Sequence, residues 1–448
     1  MIKQALPHHL RLGEAVTLHC IPTDRFKTAR LTVYTVAPAD SKFSPLSTLM
    51  YGVLRRGSEA YPRLALLNRR LDELYGTTLT IRNYLHGDSQ VISLTAEMLE
   101  DAFLPAADRG RMDILGGAME LLAQILLYPL TDEAGFLRAD AVEKEKQALC
   151  DSIRADRNDT RSYAGTRLRS LMCEGEPYGL SLSGSVEMIE GLTAADVTEH
   201  WKRFISNAHC EVFYVGRASE EDVRHRWERA FGAWDPTPIV LPPTTLHVAP
   251  DSVRHIDEDM LVAQGKLCMG WSGGFTTHTP MSGREYAAFL VFNELFGVMQ
   301  TSRLFRRVRC ELGLCYYCES ALDMTKGILW VSCGIRPDRR TDAEEAIVGE
   351  IRAVQAGEVS EDDVACAKAS LENTYRQISD SPCSMEAFWF GRVMDGLTDT
   401  PEEVMAHIQA VTVEDVVAAA RRFQSDTVFF LNGTRPDAPD AEEDDDDE

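Results

Sequence analysis

Apolar and polar residues alternate along two neighbouring segments early in the chain. Residues 77–81 and 90–95 follow this period of two on either side of a Gly-Asp turn, and the pattern predicts a β-hairpin. The helical pattern before it ends at Gly76, since glycine readily adopts the left-handed backbone that stops a helix. A similar helix, glycine and pair of strand-like runs recur in residues 308–335. We therefore expect two similar helix-and-hairpin units.

A second pattern repeats at the start of two later helices. Thr193 and Thr412 each precede an apolar stripe with an acidic residue three positions on, which is the arrangement of a capping box. Both helices continue into Arg-Phe, an apolar strand and a glycine, and the two copies lie about 220 residues apart. These echoes predict an α+β protein with two homologous halves, each a mostly antiparallel sheet flanked by helices.

Prolines mark the boundary between the predicted halves. Residues 235–250 predict an extended linker, since proline fits neither a helix interior nor a central strand. We expect the N-terminal repeat in residues 1–234 and the C-terminal repeat in residues 251–435. Residues 436–448 are rich in acidic side chains and predict a disordered tail, either for solubility or for docking a basic partner.

Composition and charge exclude several classes of protein. The chain of 448 residues has a formal net charge of −24, which argues against binding to nucleic acid. Its N-terminus has no apolar run behind basic residues, and no stretch is apolar enough to span a membrane, so we expect a cytoplasmic protein. The 11 scattered cysteines indicate free thiols. Cys315 and Cys318 have C-x-x-C spacing without a second pair, and we expect neither a zinc knuckle nor a redox role from them.

The segment 45–58 has a helical apolar stripe that ends in Arg-Gly-Ser. It is similar to the zinc helix of the insulinase/pitrilysin-type metallopeptidases, which reads H-x-x-E-H because two histidines four apart meet on one helical face. This sequence has Thr48, Tyr51 and Gly52 at those positions. Threonine is a poor zinc ligand, tyrosine is a poor general base, and glycine has no side chain. The resemblance therefore implies a degenerate zinc motif and no metal or other cofactor in this chain.

Two further observations concern this degenerate motif. None of the 11 histidines lies four residues from another, so the sequence contains no alternative H-x-x-x-H pair. Glu143 begins an acidic helix that resembles the one supplying the family's third zinc ligand. It is a candidate remnant of that ligand, and a solvated surface carboxylate is the alternative.

Residues 301–316 carry the most specific resemblance. They match the S-R-L-F-x-x-V-R-x-x-x-G-L-x-Y signature in the C-terminal half of the insulinase superfamily. The resemblance covers nearly the whole chain and indicates the short branch, which is similar to mitochondrial processing peptidase. Within that branch the chain resembles the zinc-less subunit of bacterial two-gene pairs, of the elongation factor P modification-associated type.

This resemblance implies a site made by two chains. Arg309 and Tyr316 stand seven residues apart, as do the family's arginine and tyrosine that bind the substrate and stabilise the oxyanion. We expect them to act in trans, in a heterodimer whose partner carries H-x-x-E-H and the zinc, in the cleavage of peptides. This chain alone is then an incomplete enzyme.

Two alternatives stay open at this point. The first alternative is a non-catalytic scaffold or assembly protein of the same fold, and the second is an enzyme that uses another nucleophile. The second alternative finds little support, because residues 179–184 do not match G-x-S-x-G and residues 270–274 lack the lysine of a phosphate-binding loop.

Overall fold

A computed structural model of the protein describes residues 6–232 and 234–434. It contains both helices and antiparallel sheets, which confirms the predicted α+β class. The predicted acidic tail, residues 436–448, lies outside the described residues. None of the helices in the described part of the chain is long and apolar enough to cross a membrane.

The first half of the chain contains eight strands and eight α-helices among its described residues. Its elements are β1 (His8–Arg11), β2 (Val16–Pro22), β3 (Thr28–Pro38), α1 (Phe43–Arg55), α2 (Leu64–Glu73), β4 (Thr78–His86), β5 (Ser89–Leu99), α3 (Ile114–Leu127), α4 (Ala139–Ala155), α5 (Thr160–Met172), α6 (Val186–Gly191), α7 (Ala194–Ser206), β6 (Asn207–Ala208), β7 (Cys210–Gly216), α8 (Glu220–Phe231) and β8 (Thr237–Pro238).

The second half has a similar order, with two π-helical segments in place of regular helix. Its elements are β9 (Arg254–Met260), β10 (Gly265–Ser272), α9 (Gly283–Asn293), the π-helical segments Glu294–Val298 and Phe305–Glu311, β11 (Cys315–Asp323), β12 (Ile328–Ile335), α10 (Arg340–Ala356), α11 (Glu361–Gln377), α12 (Pro382–Asp395), α13 (Pro401–Ala410), α14 (Val413–Arg422) and β13 (Gln424–Gly433). Short 3₁₀ turns lie at Asp101–Phe103, Asp156–Asn158, Pro177–Gly179, Pro337–Arg339 and Ile378–Asp380.

The two large sheets share one topology. The first has the strand order β1-β2-β7-β3-β5-β4, and the second has the order β11-β12-β10-β13-β9. In both sheets one pair is parallel, β2 with β7 and β9 with β13, and the other pairs are antiparallel. Apart from the additional edge strand β1, the pairing is the same, which agrees with two homologous halves.

Local sequence signals account for the start of equivalent helices in the two halves. Thr193 caps α7 and Thr412 caps α14, and each forms the predicted capping box with the aspartate three residues on. Each cap satisfies backbone N–H groups that the first turn of a helix leaves unpaired. The predicted hairpin of β4 and β5 is also present, with Gly87 in a left-handed conformation at its turn.

Contacts divide the chain into two compact units, and each unit contains a helix from the other half of the sequence. Among the described residues, the first unit comprises those through Ala155 and those within Glu174–Thr245 and Thr374–Pro401, so it includes α12. The second comprises Asp156–Cys173, Leu246–Asn373 and the described residues from Glu402 to Thr434, so it includes α5. The predicted boundaries, residues 1–234 and 251–435, follow the repeat along the chain and do not anticipate this exchange.

In the first unit the central strand β3 contributes to two hydrophobic clusters. Leu31 and Val33 belong to the cluster that includes α1 and α3, whereas Tyr34 belongs to the cluster that includes α12. This alternation follows from the two-residue period of a strand. Glu386 of α12 is buried and accepts a hydrogen bond from Arg30 Nε at 3.0 Å, so a charged pair also holds this helix on the sheet.

In the second unit α5 packs against β10 and β13. Ala164 and Leu168 of the helix form a cluster with Cys268, Phe429 and Leu431 of the two strands. The helix approaches the strand closely where the strand has no side chain, since a Cβ at Gly270 would lie 2.6 Å from Met172 Sδ. A side chain at Gly270 would therefore require Met172 to move.

Candidate functional site

Helix α1 is the segment in which the sequence predicts a degenerate zinc motif. Asp40 accepts hydrogen bonds at Oδ1 from the backbone N–H groups of Lys42 and Phe43, at 2.8 and 2.9 Å, and thereby satisfies the start of the helix. Leu49 and Val53 are among the residues that bury its apolar face. The predicted helix is thus present, and it presents Thr48, Tyr51 and Gly52 on successive turns.

The Thr48 hydroxyl is committed to structural hydrogen bonds. Its Oγ1 lies 2.6 Å from the carbonyl oxygen of Leu182 and accepts a bond of 2.7 Å from Asn83 Nδ2. Both groups belong to the first unit, as α1 does. Thr48 therefore connects the helix to a loop and to β4, and its oxygen is not available to a metal ion.

The Tyr51 side chain points into the core of the first unit. It is 3% exposed, and its hydroxyl lies 2.6 Å from Thr35 Oγ1. Burial raises the pKa of the Tyr51 phenol well above its usual range, although the hydrogen bond with Thr35 acts against this shift. The phenol stays neutral and cannot act as the general base that the family's glutamate provides.

Gly52 faces a carboxylate of helix α4. A Cβ at Gly52 would lie 2.7 Å from Glu145 Oε2, so this carboxylate occupies the space next to the helix that a side chain would fill. Glu145 also accepts a hydrogen bond from Arg56 Nε and forms an ion pair with that guanidinium. The negative charge is therefore neutralised within the first unit.

Glu143, the residue proposed from the sequence as the remnant ligand, lies on a more exposed face of α4. Its carboxylate is 66% exposed and pairs with Lys146 Nζ at 3.1 Å. The structure thus brings Glu145, and not Glu143, to α1. The sequence contains both glutamates in Glu-Lys-Glu-Lys, but the direction of each side chain depends on how the helix is rotated about its axis.

These residues do not fit a zinc ion. The helix offers a committed hydroxyl, a buried neutral phenol and no side chain at the three positions. Among residues 6–232 and 234–434, no group of three candidate metal ligands includes a residue of α1. We derive no chemical step through a metal at this helix.

A cavity of about 400 Å³ lies beside α1 within the first unit, lined by Ser47, Tyr51, His200 and Arg203 among others. Ser47 Oγ and His200 Nε2 are 2.8 Å apart. Burial and the Arg203 charge lower the pKa of His200 to about 4. A histidine of such low pKa is a poor base at neutral pH, and its buried Nδ1 has no partner among the residues that the structure describes. This pair therefore gives no support to a serine nucleophile.

Arg309 lies in the second π-helical segment of the second unit. The neighbouring arginines are ion-paired: Arg303 with Glu350, Arg306 with Asp363 and Arg307 with Glu311. By contrast, Arg309 forms no ion pair with any carboxylate in the described part of the chain, and its guanidinium lies 4.8 Å from the centre of the Phe305 ring. Its five N–H donors can therefore serve a ligand.

Tyr316 projects from a β-bulge in the edge strand β11. Cys315 pairs with Ile335 and Tyr317 pairs with Gly334, so Tyr316 is the extra residue between two paired positions. Its side chain is 74% exposed. Bulges re-aim side chains at sheet edges. The sequence marks Tyr316 by its distance from Arg309, but it does not reveal the bulge.

The neighbouring tyrosine has a different environment. Tyr317 packs against Gly334, and the Arg161 guanidinium lies 4.2 Å from the centre of its ring. Burial raises the pKa of Tyr317 to about 12. Tyr317 is thus held within the second unit, whereas Tyr316 is presented to solvent.

The chain is similar in sequence to a known protein family and to a curated protein. The family model of the peptidase M16 inactive domain matches residues 191–371. The probable inactive metalloprotease YmfF of Bacillus subtilis strain 168 is 29% identical over 419 residues, covering 94% of this chain and 96% of that protein.

Two solved structures have a similar fold. A conserved protein from Enterococcus faecalis V583 matches with a TM-score of 0.85 at 24% identity, covering 96% of this chain and 100% of that chain. A peptidase M16 inactive domain from Pseudomonas fluorescens matches with a TM-score of 0.76 at 16% identity, covering 97% and 100%. The fold is thus shared over almost the whole chain.

Proposed function

We propose that this chain, which is similar to inactive members of the peptidase M16 family, is the zinc-less subunit of a heterodimeric metallopeptidase of the insulinase/pitrilysin type. Its partner carries H-x-x-E-H and the zinc ion. This chain contributes Arg309 and Tyr316 to the binding and cleavage of peptides. Helix α1 has no residues that fit a zinc ion, whereas Arg309 and Tyr316 have donor groups that can bind a peptide.

The availability of Arg309 and Tyr316 is the observation that carries this proposal. Arg309 lacks an acidic partner in the described residues, while Arg306 and Arg307 of its segment and the preceding Arg303 each have one. Tyr316 is 74% exposed on a bulge, although a tyrosine in a sheet is usually packed. A guanidinium and a phenol are suitable donors to a peptide carbonyl and to the oxyanion formed from it.

The replacement of the zinc motif in α1 supports a heterodimer in which the partner subunit binds the zinc ion. Thr48 and Tyr51 are held by hydrogen bonds, and Glu145 lies in the space next to Gly52. These arrangements stabilise the helix as a structural element. A scaffold protein of the same fold would have the same helix, so α1 alone does not distinguish the two functions.

Co-purification from the native source tests the proposal. We expect an H-x-x-E-H chain to accompany this protein in a complex with one zinc ion. The reconstituted pair should hydrolyse unfolded peptides, whereas this chain alone should neither bind stoichiometric zinc nor cleave them. A zinc-containing partner in a pair without peptidase activity would support the scaffold alternative, and absence of such a partner would contradict both the pairing and the peptidase function.

A further inference from the structure

The β-bulge at Tyr316 also changes the geometry of the C-x-x-C sequence. In a regular strand, residues three apart point to opposite faces. Here Cys315 lies opposite Ile335 and Cys318 lies opposite Cys333, because the bulge inserts one residue between them. Ile335 and Cys333 are two residues apart on β12 and share a face. Cys315, Cys318 and Cys333 therefore lie together on one face of the second sheet.

The three thiols have unequal environments. Cys315 is half-buried on the edge strand β11, whereas Cys318 and Cys333 are buried. Hydrogen bonds with Cys318 and Cys333 hold the pKa of the Cys315 thiol well below its usual range, and the Arg309 charge acts in the same direction, although burial opposes it. The accessible member of the cluster is thus also the one whose thiolate is stabilised.

We propose that Cys315 is the reactive thiolate of a three-cysteine centre, and that this centre is a site of modification by hydroperoxides and soft electrophiles. Two buried thiols lie beside it on the same face of the sheet, and the Arg309 charge favours its thiolate. This inference does not depend on the peptidase function, since it concerns the chemistry of the thiol. The C-x-x-C spacing alone gave no reason to expect it, because the spacing does not show the bulge.

The reaction with hydrogen peroxide proceeds in two balanced steps. The Cys315 thiolate attacks one peroxide oxygen, the S–O bond forms, the O–O bond breaks, and the leaving hydroxide takes a proton to become water. The sulfur loses two electrons to the peroxide. The Sγ of Cys318 or Cys333 then attacks the sulfenic sulfur, an S–S bond forms, the S–O bond breaks, and hydroxide leaves with the thiol proton as water.

Alkylation with iodoacetamide at pH 6 tests the proposal on the intact chain. Exposed Cys310 and Cys366 are internal references. A thiol of ordinary pKa, about 8.5, is well under about 1% ionised at pH 6. Even allowing for the weaker nucleophilicity of a low-pKa thiolate, we expect Cys315 to react about tenfold faster than either reference. Peptide mass spectrometry measures the rates, and the difference should close near pH 9. Cys310 and Cys366 reacting as fast as Cys315 at pH 6 would overturn the proposal.

Two substitutions at one position separate hydrogen bonding from packing. Cys333→Ala removes an S–H donor, and Cys333→Ser keeps a donor of similar size. The pH at which alkylation of Cys315 is half-maximal should rise by about one unit or more in Cys333→Ala and by less in Cys333→Ser, because a hydrogen bond to a charged group is lost only in the first. Equal midpoints in the wild type and Cys333→Ala would contradict the role of this donor. Circular dichroism checks the fold of both variants, and the wild-type comparison stands if either fails to fold.

Peroxide treatment provides an independent readout. A 1,3-dione probe for sulfenic acid should label Cys315 and leave Cys310 and Cys366 unlabelled. Labelling should increase when Cys318 and Cys333 are both replaced by serine, because no thiol then remains in the cluster to form the disulfide. Preferential labelling of Cys310 or Cys366 would show that exposure alone determines reactivity, and it would overturn the proposal.

Discussion

Gly52 and Glu145 together fill the space beside α1 in which a longer side chain would lie. The Glu145 carboxylate is held by Arg56, the residue that follows the helix, so its charge is paired. A Cβ added at Gly52 would meet Glu145 Oε2 at 2.7 Å. The carboxylate is the flexible end of a side chain and can move, but its contact with Arg56 would then be disturbed. Arg56 and Glu145 thus connect α1 to α4 beside Gly52.

A double-mutant cycle measures this contact. Gly52→Ala should stabilise the protein by about 1 kcal/mol in a Glu145→Ala background, because alanine favours a helix more than glycine does. In the wild-type background the gain should be smaller by about 0.5–1 kcal/mol, because the carboxylate must move. Gly391→Ala, with no atom within 4 Å of its Cβ, is the control and should give the same gain in both backgrounds. Equal gains for Gly52→Ala in urea unfolding would contradict the contact.

His200 predicts a pH dependence of stability. Burial and the Arg203 charge lower its pKa from 6.5 to about 4 in the folded state. The unfolded chain then binds the proton more readily, so the contribution of His200 is present above about pH 6.5 and is lost as the pH falls towards 4. His200→Gln should reduce the loss of unfolding free energy between pH 7 and 4 by on the order of 2 kcal/mol.

Exposed His278 provides the control for this measurement. His278→Gln should leave the pH dependence of the unfolding free energy close to that of the wild type. Urea titrations at several pH values compare the three proteins. Parallel pH profiles for the wild type and His200→Gln would show that His200 is not held neutral in the folded state.

At the scale of elements, α12 is attached to the first sheet by both apolar and charged contacts. Glu386 is 1% exposed and accepts hydrogen bonds from Arg30 and Thr32 of β3. Arg30 also pairs with Glu97, whose side chain is half-exposed. One arginine therefore has a buried partner and an exposed partner, and their contributions can be separated.

Replacement of the two glutamates should have unequal effects. Glu386→Ala should cost about 3–5 kcal/mol of unfolding free energy, because it leaves a buried guanidinium without its buried partner. Glu97→Ala should cost less than about 1 kcal/mol, since water screens an exposed pair. Chemical denaturation of both variants measures the difference. Comparable losses would mean that the Glu386 pair does not anchor α12.

The sequence predicts those elements whose signals are local. The capping boxes at Thr193 and Thr412 and the hairpin around Gly87 depend on a few adjacent residues, and the structure contains them. The bulge at Tyr316 depends on how β11 pairs with β12, and no local sequence signal indicates this register. The selection of Glu145 over Glu143 depends likewise on the rotation of α4 about its axis, which tertiary packing determines.

At the scale of the whole molecule, the repeat and the compact units do not coincide. Helices α5 and α12 have equivalent places in the two halves of the sequence. Helix α5 comes from the first half but belongs to the second unit, and α12 comes from the second half but belongs to the first unit. The sequence shows the repeat because caps and strands recur. It does not show the exchange, because either sheet offers an apolar face to an amphipathic helix.

In the proposed heterodimer, this chain contributes Arg309 and Tyr316 to the partner's peptidase site. The most direct test is the turnover of an unfolded peptide by the reconstituted pair. Arg309→Ala and Tyr316→Phe should each lower turnover roughly 100-fold, because each removes a donor to the transition state. The matched controls Arg307→Ala and Tyr317→Phe, one on the same segment and one on the same strand, should retain turnover. All four variants should keep pairing and zinc content. Unchanged turnover in both Arg309→Ala and Tyr316→Phe would contradict the account.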